Sequence, residues 1–331
     1  MKYLHIGPNS RIYTDFIEFV EENFDKKEHK FLYPKENGKS LIENIFFIIK
    51  FTIYGLKAQK IFIHGLFNKK MIIFLYIFRF FLKKSYWGIW GGDLYSYNDR
   101  KGKSFFYNIE DYVKGNMKGY ITQVEGDFKL AQKYFKTRGK FYYCFAYPSN
   151  LYKERNIKYT EKTELWIQIG NSADSSNNHF EILDKLSKFK DMDIKLFCIL
   201  SYGGDEEYKN LVIKKGIELF KDKFHPVLNF MSFDDYMNFL SSLDIAIFAH
   251  NRQQGFGNIV SLLGMGKTVY LKEEVTTYQA LEKIGLKINS FNKLKKIEKN
   301  LLKDLENNQR TVKEHFSKEN LIKQWEEIFI K

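Results

Sequence analysis

Short apolar runs alternate along the chain with longer segments whose apolar residues recur at helical spacing. This alternation is typical of βαβ units, in which helices connect parallel strands. Strands are predicted at 2–6, 30–33, 60–64, 86–90, 119–124, 142–147, 164–169, 194–200, 226–230, 244–249 and 268–271. Helices are predicted at 10–24, 68–82, 127–135, 178–189, 206–220, 233–242, 258–264 and 276–284. The pattern indicates an α/β protein with two Rossmann-like, doubly wound domains that face each other across a cleft.

The length of 331 residues is too great for one ordinary domain. A polar, charged stretch at 148–162 interrupts the alternation, which then starts again. We therefore expect a first domain at 1–150 and a second at 151–310. The end of the chain is predicted to form amphipathic helices, and we expect residues 311–331 to return toward the first domain.

The net charge of +13 is concentrated in the first half of the chain. Residues 1–150 hold 25 Lys and Arg against 14 Asp and Glu, whereas residues 151–331 hold 28 against 26. A basic surface attracts polyanions such as nucleic acid, an anionic membrane or a diphosphate. An A+T-rich genome would also raise the Lys and aromatic content, so composition alone does not choose among these. Cys144 and Cys198 lie in apolar runs and are expected to be buried thiols rather than a disulfide framework.

Two strongly apolar segments of the first half, 71–82 and 45–53, allow two interpretations. The first is interrupted by Arg79 and is shorter than the ~20 residues of a spanning helix. Each segment can be a buried helix, or a helix that lies at a membrane surface with its lysines among the headgroups. The first seven residues indicate a strand and a turn rather than a secretory signal.

A turn suited to phosphate follows the predicted strand 164–169. It carries Gly170, Asn171, Ser172 and Asp174, followed by a predicted helix. Glycine permits close approach, the short polar side chains can donate hydrogen bonds, and the helix would point free N–H groups at the same place. A plain helix cap would use the same residue types, so both interpretations stand.

The turn after strand 244–249 is the stronger candidate for an anion site. It contains Arg252, Gln253, Gln254, Gly255, Gly257 and Asn258, at the start of a predicted helix. A guanidinium makes bidentate contacts with phosphate, and the glycines let the backbone come close. A third turn contains Tyr202 and Gly203; the tyrosine can stack on a nucleobase, or the turn can simply cap the next helix.

Two strand ends of the first half carry acid–base candidates. His64 ends one predicted strand, and Asp93 follows the next one after two glycines. These side chains could act together as general base and orienting group, although an Asp in such a turn is often a cap. The sequence has no P-loop and no complete Gly-x-Gly-x-x-Gly. Asp191 and Asp193 spell an Asp-x-Asp motif but precede a strand in a charged turn, so we expect no metal site there.

Together these motifs resemble one family. Trp90-Gly91-Gly92-Asp93-Leu94-Tyr95, the run from Gly170 to His179, and Arg252-Gln253-Gln254-Gly255-x-Gly257 are similar to the bacterial 4-acetamido-4,6-dideoxygalactose (N-acetylfucosamine) transferases of enterobacterial common antigen synthesis, glycosyltransferase family 56. His64-Gly65-x-Phe67-Asn68 and residues 216–220 match as well. The resemblance is collinear from about residue 60 to residue 271, with Gly92 where the family has alanine.

The resemblance implies a metal-independent glycosyltransferase of the GT-B type, without a cofactor. Such an enzyme resembles a peripheral protein on the cytoplasmic face of the bacterial inner membrane. It would move the sugar of a dTDP-linked donor, held by the second domain, to an undecaprenyl-diphosphate-linked saccharide on the first. The residues then expected to bind the donor are Gly170, Asn171, Ser172, Asp174, Tyr202, Gly203, Arg252, Gln253, Gln254, Gly255, Gly257 and Asn258.

The mechanism that we expect from this resemblance depends on charge stabilisation. Arg252 and backbone amides would stabilise the departing diphosphate. Asp93 would deprotonate the acceptor hydroxyl if the anomeric centre inverts, and His64 is the second candidate for this base. If configuration is retained, the leaving phosphate could take the proton and Asp93 would position the sugar.

Three alternatives remain open at this stage. The donor can be a UDP- or GDP-linked hexose used for O-antigen or capsule. A non-catalytic sugar-binding protein of the same fold is a second possibility. A nucleic-acid-binding protein is a third, but the sequence contains no recognised nucleic-acid module, and we expect no nucleic-acid partner.

Overall fold

The computed structural model describes residues 1–34, 41–154 and 162–330. The chain divides into two compact units, one formed by Met1–Leu151 with Lys318–Lys331 and the other by Tyr152–Ser317. Residues 155–161, the middle of the predicted linker, lie outside the described residues. Each unit is a parallel β-sheet with helices on its faces, so the predicted α/β class is confirmed.

The first unit contains a six-stranded sheet. Its strands are β1 (Tyr3–Ile6), β2 (His29–Leu32), β3 (Lys60–His64), β4 (Ser85–Gly88), β5 (Gly119–Thr122) and β6 (Lys140–Tyr143). Its helices are α1 (Arg11–Asn23), α2 (Leu41–Lys57), α3 (Lys69–Ile77), α4 (Gly92–Tyr95), α5 (Phe105–Gly115) and α6 (Glu125–Phe135). The strand order is β2-β1-β3-β4-β5-β6, so the chain reverses its direction across the sheet between β1 and β3.

The second unit repeats this plan with a second six-stranded sheet. Its strands are β7 (Leu165–Ile169), β8 (Ile194–Ile199), β9 (Phe224–Val227), β10 (Ile245–Phe248), β11 (Thr268–Leu271) and β12 (Asn289–Ser290). Its helices are α7 (His179–Leu186), α8 (Glu206–Phe220), α9 (Phe233–Ser242), α10 (Phe256–Gly264), α11 (Thr276–Lys283) and α12 (Leu302–His315). The order β12-β11-β10-β7-β8-β9 places the reversal between β7 and β10.

The last helix, α13 (Lys318–Ile330), belongs to the first unit. Trp325, which is 1% exposed, donates its indole N–H to the carbonyl of Ala146 at 2.9 Å. Tyr3 donates its hydroxyl to the carbonyl of Phe329 at 3.1 Å. These contacts fix the end of the chain on the sheet of the first unit.

Two predicted strands are shifted in the structure. The sixth ends at Tyr143 instead of 147, because the following residues leave the sheet with Ala146 at φ +61°. That segment is apolar because it is buried, partly beneath Trp325, and not because it is a strand. The ninth spans Phe224–Val227 instead of 226–230, and Phe230 is 76% exposed beyond its end. Pro226 is tolerated there because β9 is an edge strand.

The two ambiguous apolar segments differ in the structure. In 71–82 the residues Met71, Ile72, Phe74, Leu75, Phe81 and Leu82 are buried, which favours the core interpretation of that segment. Helix α2, which contains 45–53, instead exposes much of its apolar surface. Within the described residues, none of the helices combines the length and the apolar character needed to cross a bilayer.

Candidate functional site

Three loops of the second unit meet at one edge of its sheet. They follow β7, β8 and β10, which are neighbours in the order β10-β7-β8 and are all parallel. Ligands of open α/β sheets bind at the carboxyl ends of the strands, where the chain reverses direction. The loops after β7 and β10 flank that point, and the predicted donor-binding residues lie in the three loops and at the start of α10.

The loop after β7 is built around Gly170 and Asn177. Gly170 has φ +64°, and a Cβ atom there would lie 2.5 Å from Nε2 of the buried His179. Oδ1 of the fully buried Asn177 accepts the amide N–H of Asn171 at 2.9 Å, and its Nδ2 donates to Oγ of Ser172 at 3.0 Å. Asn171 and Ser172 are therefore held in place by a side chain from their own loop.

The loop after β8 closes against the loop after β7. The amide of Ala173 donates to the carbonyl of Tyr202 at 2.8 Å, and Nδ2 of Asn171 donates to the Tyr202 hydroxyl at 3.1 Å. Gly203 and Gly204 both have positive φ, and a Cβ at Gly204 would lie 2.0 Å from the carbonyl oxygen of Ala173. The Tyr202 ring is 46% exposed, and the centroid of the Phe230 ring lies 6.5 Å away in an edge-to-face arrangement.

The predicted arginine faces the predicted aspartate. A guanidinium nitrogen of Arg252 lies 3.9 Å from a carboxylate oxygen of Asp174. Ser176 donates its hydroxyl to Asp174 at 2.5 Å and also lies 2.6 Å from Oε1 of Gln254. Burial by itself would raise the pKa of Asp174, but the hydrogen bonds from Ser176 and the charge of Arg252 lower it below its ordinary value. Asp174 therefore orients Arg252, whose side chain keeps 30% of its surface exposed.

The N-terminus of α10 supplies backbone donors to the same region. Gly255 precedes the helix with φ +64°, and the amides of Phe256, Gly257 and Asn258 have no acceptor within the helix. A Cβ at Gly255 would lie 3.2 Å from the side-chain amide of Asn171, so this N-terminus abuts the loop after β7. Gln253, which belongs to the same turn, is buried at 8% exposure. The combination of a guanidinium, helix amides and a glycine turn is suited to binding a phosphate group.

In the first unit, a hollow lies at the reversal point of the sheet, between the segments that follow β1 and β3. Its wall is formed by Ile6, Gly7, Pro8, Pro34, Ile63, Gly65, Leu66, Phe67, Asn68 and Met71. The wall is mainly apolar, and one of its residues, Phe67, is 47% exposed. The hollow occupies the same position in this sheet as the phosphate-suited loops occupy in the other.

Asp93 lies next to that hollow but is 1% exposed. One carboxylate oxygen accepts the amide of Leu66 at 2.7 Å and the indole N–H of Trp87 at 2.6 Å, and the other accepts the amide of Trp90 at 3.0 Å. Burial raises the pKa of Asp93, while the nearby charge of Lys114 and these hydrogen bonds limit the rise. These contacts favour a positioning role, in which Asp93 ties the loop after β3 to the loop after β4.

His64 is 1% exposed and belongs to a chain of hydrogen-bonded rings. Its Nδ1 lies 2.9 Å from the Tyr147 hydroxyl and its Nε2 lies 3.1 Å from Nδ1 of His5. Nε2 of His5 in turn lies 3.0 Å from Nδ1 of His29. Trp90 donates its indole N–H to the Tyr147 oxygen at 2.5 Å. Burial lowers the pKa of His64 to about 3, so its ring is neutral at physiological pH.

A comparison with protein families identifies a family to which this chain is similar. The family model described as 4-alpha-L-fucosyltransferase, glycosyl transferase group 56, matches residues 38–331. The chain belongs to glycosyltransferase group 56. The match extends beyond the span of about 60 to 271 that the motifs cover, and it includes the last helix.

Solved structures show that this glycosyltransferase has the GT-B fold. A glycosyltransferase from Rickettsia africae ESF-5 is 15% identical, with a TM-score of 0.66 over 99% of this chain and 98% of that chain. HepE of Anabaena in complex with UDP-glucose is 11% identical, with a TM-score of 0.68 over 100% of both chains. Sucrose-phosphate synthase from Thermosynechococcus elongatus is 9% identical, with a TM-score of 0.64 over 100% of this chain and 98% of that chain.

Four residues outside the predicted set contact residues of the candidate loops of this group 56 enzyme. Asn177 and His250 link two loops, Tyr147 holds Trp90, and Phe230 stands beside Tyr202. Asn177 lies within a quoted motif, so its amide was a visible signal, whereas the other three depend on contacts between distant segments.

The Asp-x-Asp sequence of the enzyme lies away from these loops. Asp191 and Asp193 are exposed in the turn before β8. The described part of the chain contains no group of three or more His, Cys, Asp or Glu side chains arranged to hold a metal ion.

Proposed function

We propose that this glycosyltransferase moves a deoxy-amino sugar of the N-acetylfucosamine type from a dTDP-linked donor to an undecaprenyl-diphosphate-linked saccharide. The product would enter a bacterial surface polysaccharide. The proposal rests on one observation: Arg252, the N-terminus of α10 and the loop that contains Gly170 lie close together at the carboxyl edge of the second sheet. That arrangement is suited to the diphosphate of a nucleotide sugar.

The donor is assigned to the second unit in two parts. The diphosphate binds between Arg252 and the amides at the start of α10, close to Asn171, whose Oδ1 is buried without a partner among the described residues. The nucleobase binds at Tyr202, whose exposed ring stands beside the exposed ring of Phe230. Stacking between aromatic rings and bases contributes about 1–3 kcal/mol for each base.

Transfer breaks the bond between the anomeric carbon and the terminal phosphate oxygen of the donor. Negative charge then grows on the diphosphate, and Arg252 and the α10 amides stabilise it without a metal ion in this proposal. A new bond forms between the anomeric carbon and a hydroxyl oxygen of the acceptor. The hydroxyl proton passes to Asp93 or His64 if the centre inverts, or to the leaving phosphate if configuration is retained. Because both side chains are buried and hydrogen-bonded, we assign them first to positioning.

The acceptor is assigned to the first unit. Its excess of Lys and Arg over Asp and Glu is suited to a lipid diphosphate, and the hollow beside Phe67 offers an apolar wall. The rings of Phe67 and Trp90, in the loops after β3 and β4, form an edge-to-face pair with centroids 6.2 Å apart. Tyr147 holds the Trp90 ring in place by accepting its indole N–H.

The identity of the donor nucleotide is tested by measuring the melting temperature of the protein with dTDP, UDP or GDP. A ligand that binds the folded state raises the melting temperature by mass action. We expect dTDP to give the largest shift. Turnover is then measured with dTDP-4-acetamido-4,6-dideoxygalactose, UDP-glucose and GDP-fucose, each with an undecaprenyl-diphosphate-linked saccharide. GDP-fucose is included because the family description names a fucosyltransferase, and UDP-glucose because HepE binds it. Consumption of none of these donors, with no shift from any nucleotide, would contradict the proposal.

A further inference from the structure

Helix α2 of the first unit has an apolar outer face. A surface helix normally presents polar residues to solvent and apolar residues to the core. In α2 the exposed side chains include Ile45 (47%), Phe46 (59%), Ile48 (41%), Ile49 (45%), Ile53 (47%) and Leu56 (60%). They recur at helical spacing along one side, and we call this surface the α2 face. A continuous exposed apolar surface of this kind marks a contact with another apolar phase.

The opposite side of α2 is already occupied by the protein. Phe51 is fully buried and packs against Phe74 and Phe81, with ring centroids 4.7 Å and 5.1 Å away. Gly55 lets the Phe81 ring come close, because a Cβ atom there would lie 2.9 Å from it. One side of the helix is therefore fixed to the core, and only the other is available. A helix with one apolar side on the protein core and another apolar side exposed can lie flat against a second apolar phase.

Helix α2 and the sequence that follows it are basic, which indicates the occupant of the α2 face. Residues 41–84 contain eight basic side chains and one acidic side chain, Glu43; one of the eight, Lys60, instead donates to the carbonyl of Phe329 on α13. Lys50 and Lys57 are exposed on α2 itself, and Lys84 reaches the end of the helix, where it donates to the carbonyl of Ala58 at 2.7 Å. A second copy of this chain would bring like charges together, which is unfavourable. An anionic bilayer satisfies both features, because apolar side chains enter its surface while lysines meet its headgroups.

We propose that the α2 face docks the enzyme on an anionic membrane. Exposed Ile77 and Phe80 extend the apolar surface on the neighbouring segment, which packs on α2 through Phe81. The proposal concerns where the enzyme is held and does not depend on which sugar it transfers. It identifies α2, rather than the largely buried segment 71–82, as the main lipid contact.

The test is vesicle flotation of the full chain without any nucleotide sugar. Vesicles of phosphatidylglycerol with phosphatidylethanolamine are compared with vesicles of phosphatidylcholine alone. We expect at least about tenfold tighter binding to the anionic vesicles, weakened by salt because screening shortens the range of the charges. Replacing Phe46→Asp together with Ile49→Asp should weaken that binding by about tenfold or more. Replacing Lys50→Glu together with Lys57→Glu should abolish the preference for anionic lipid.

Ile217→Asp is the matched control, since Ile217 is 51% exposed on α8 of the second unit. It should bind anionic vesicles as the wild type does. Unchanged binding of the Phe46→Asp, Ile49→Asp variant would overturn the proposal. So would a wild-type dimer that this variant splits, with no vesicle binding, because the occupant would then be a second copy. Circular dichroism checks each fold, and the lysine variant tests the proposal should the aspartate variant not fold. Failure of sugar transfer with intact flotation would count against the proposed function alone.

Discussion

The side-chain oxygen of Asn177 lies 3.1 Å from Nε2 of His250. This contact joins the loop after β7 to the loop after β10. Burial lowers the pKa of His250 to about 3, and the charge of Arg252 adds to the effect. The imidazole is therefore neutral at physiological pH and donates its Nε2–H to the asparagine oxygen. The loops after β7 and β10 are therefore held together by an uncharged hydrogen bond.

Gly170→Ala should lower the melting temperature and weaken nucleotide binding by more than the strain of a left-handed backbone conformation alone would. A left-handed residue other than glycine costs roughly 1–2 kcal/mol, and here the added Cβ would also lie 2.5 Å from His179. Gly102→Ala is the matched control, because Gly102 also has φ +64° and a Cβ there would meet nothing within 4 Å. We expect a larger loss of melting temperature and of nucleotide binding for Gly170→Ala. Equal losses in the two variants would show that the contact with His179 is unimportant.

Arg252→Ala should slow turnover while leaving the fold intact. Loss of one donor to a developing oxyanion costs about 2–4 kcal/mol of transition-state stabilisation, or about 30- to 900-fold in rate. Because the side chain is partly exposed and its nearest carboxylate lies 3.9 Å away, its removal should change stability little. Steady-state kinetics with the donor sugar measure the effect. Arg310→Ala, an exposed arginine of the same unit, controls for the lost charge. Near-normal turnover of Arg252→Ala would refute its assignment.

The loops after β7 and β10 are visible in the sequence because their signals are local. A parallel strand followed by glycine, short polar residues and a helix start is visible in a single stretch, as at Gly170 and Gly255. The register of β7, β8 and β10 then brings these stretches to one edge. Arg252 and Asp174, which lie far apart in sequence, meet for that reason.

What the sequence could not provide is information about which face another segment covers. The apolar run ending at Tyr147 resembles a strand, yet it is buried in part by Trp325, far along the chain. Asp93 has the sequence context of a base or a cap, and only its three hydrogen-bond donors favour positioning. The exposed face of α2 likewise depends on which of its sides packs on Phe74 and Phe81.

Asp93→Asn should destabilise the first unit as well as reduce activity. An amide can replace one carboxylate oxygen, but its NH2 group would face an N–H donor, either Trp90 or the pair from Leu66 and Trp87. A buried donor left without an acceptor costs about 1–3 kcal/mol. Chemical denaturation measures this loss, with the exposed Asp99→Asn as the control. A large fall in kcat without any change in stability would instead support the role of Asp93 as the base.

Stability should fall as the pH drops below about 6.5, the ordinary pKa of histidine. Burial lowers the pKa of His64 to about 3 and that of His29 to about 4, and it lowers the pKa of His5 as well. Between these values and 6.5 the unfolded chain binds protons that the folded chain does not, so acid favours unfolding. Above pH 7 the effect disappears. The melting temperature should therefore decline from pH 7 to 5, before most carboxylates titrate.

His64→Gln tests the origin of this pH dependence. Glutamine can keep part of the hydrogen bonding but cannot titrate, so the variant should be less stable at pH 7 and less sensitive to acid. The slope of unfolding free energy against pH should decrease by up to about 1.4 kcal/mol per pH unit, which is the contribution of one proton. An unchanged slope would locate the acid sensitivity in other groups.

Tyr202→Ala and Phe230→Ala should each weaken donor binding more than they slow the chemical step. Both rings are exposed at the carboxyl edge of the second sheet, and Asn171 fixes the tyrosine through its hydroxyl. Loss of a stacked ring costs about 1–3 kcal/mol, or about 5- to 160-fold in KM, with kcat nearly unchanged because the base is remote from the broken bond. Phe105→Ala is the control, since Phe105 is 74% exposed in the first unit. If Phe230→Ala kept a normal KM while Tyr202→Ala did not, the base would stack on the tyrosine alone, and normal values for both would place the nucleobase elsewhere.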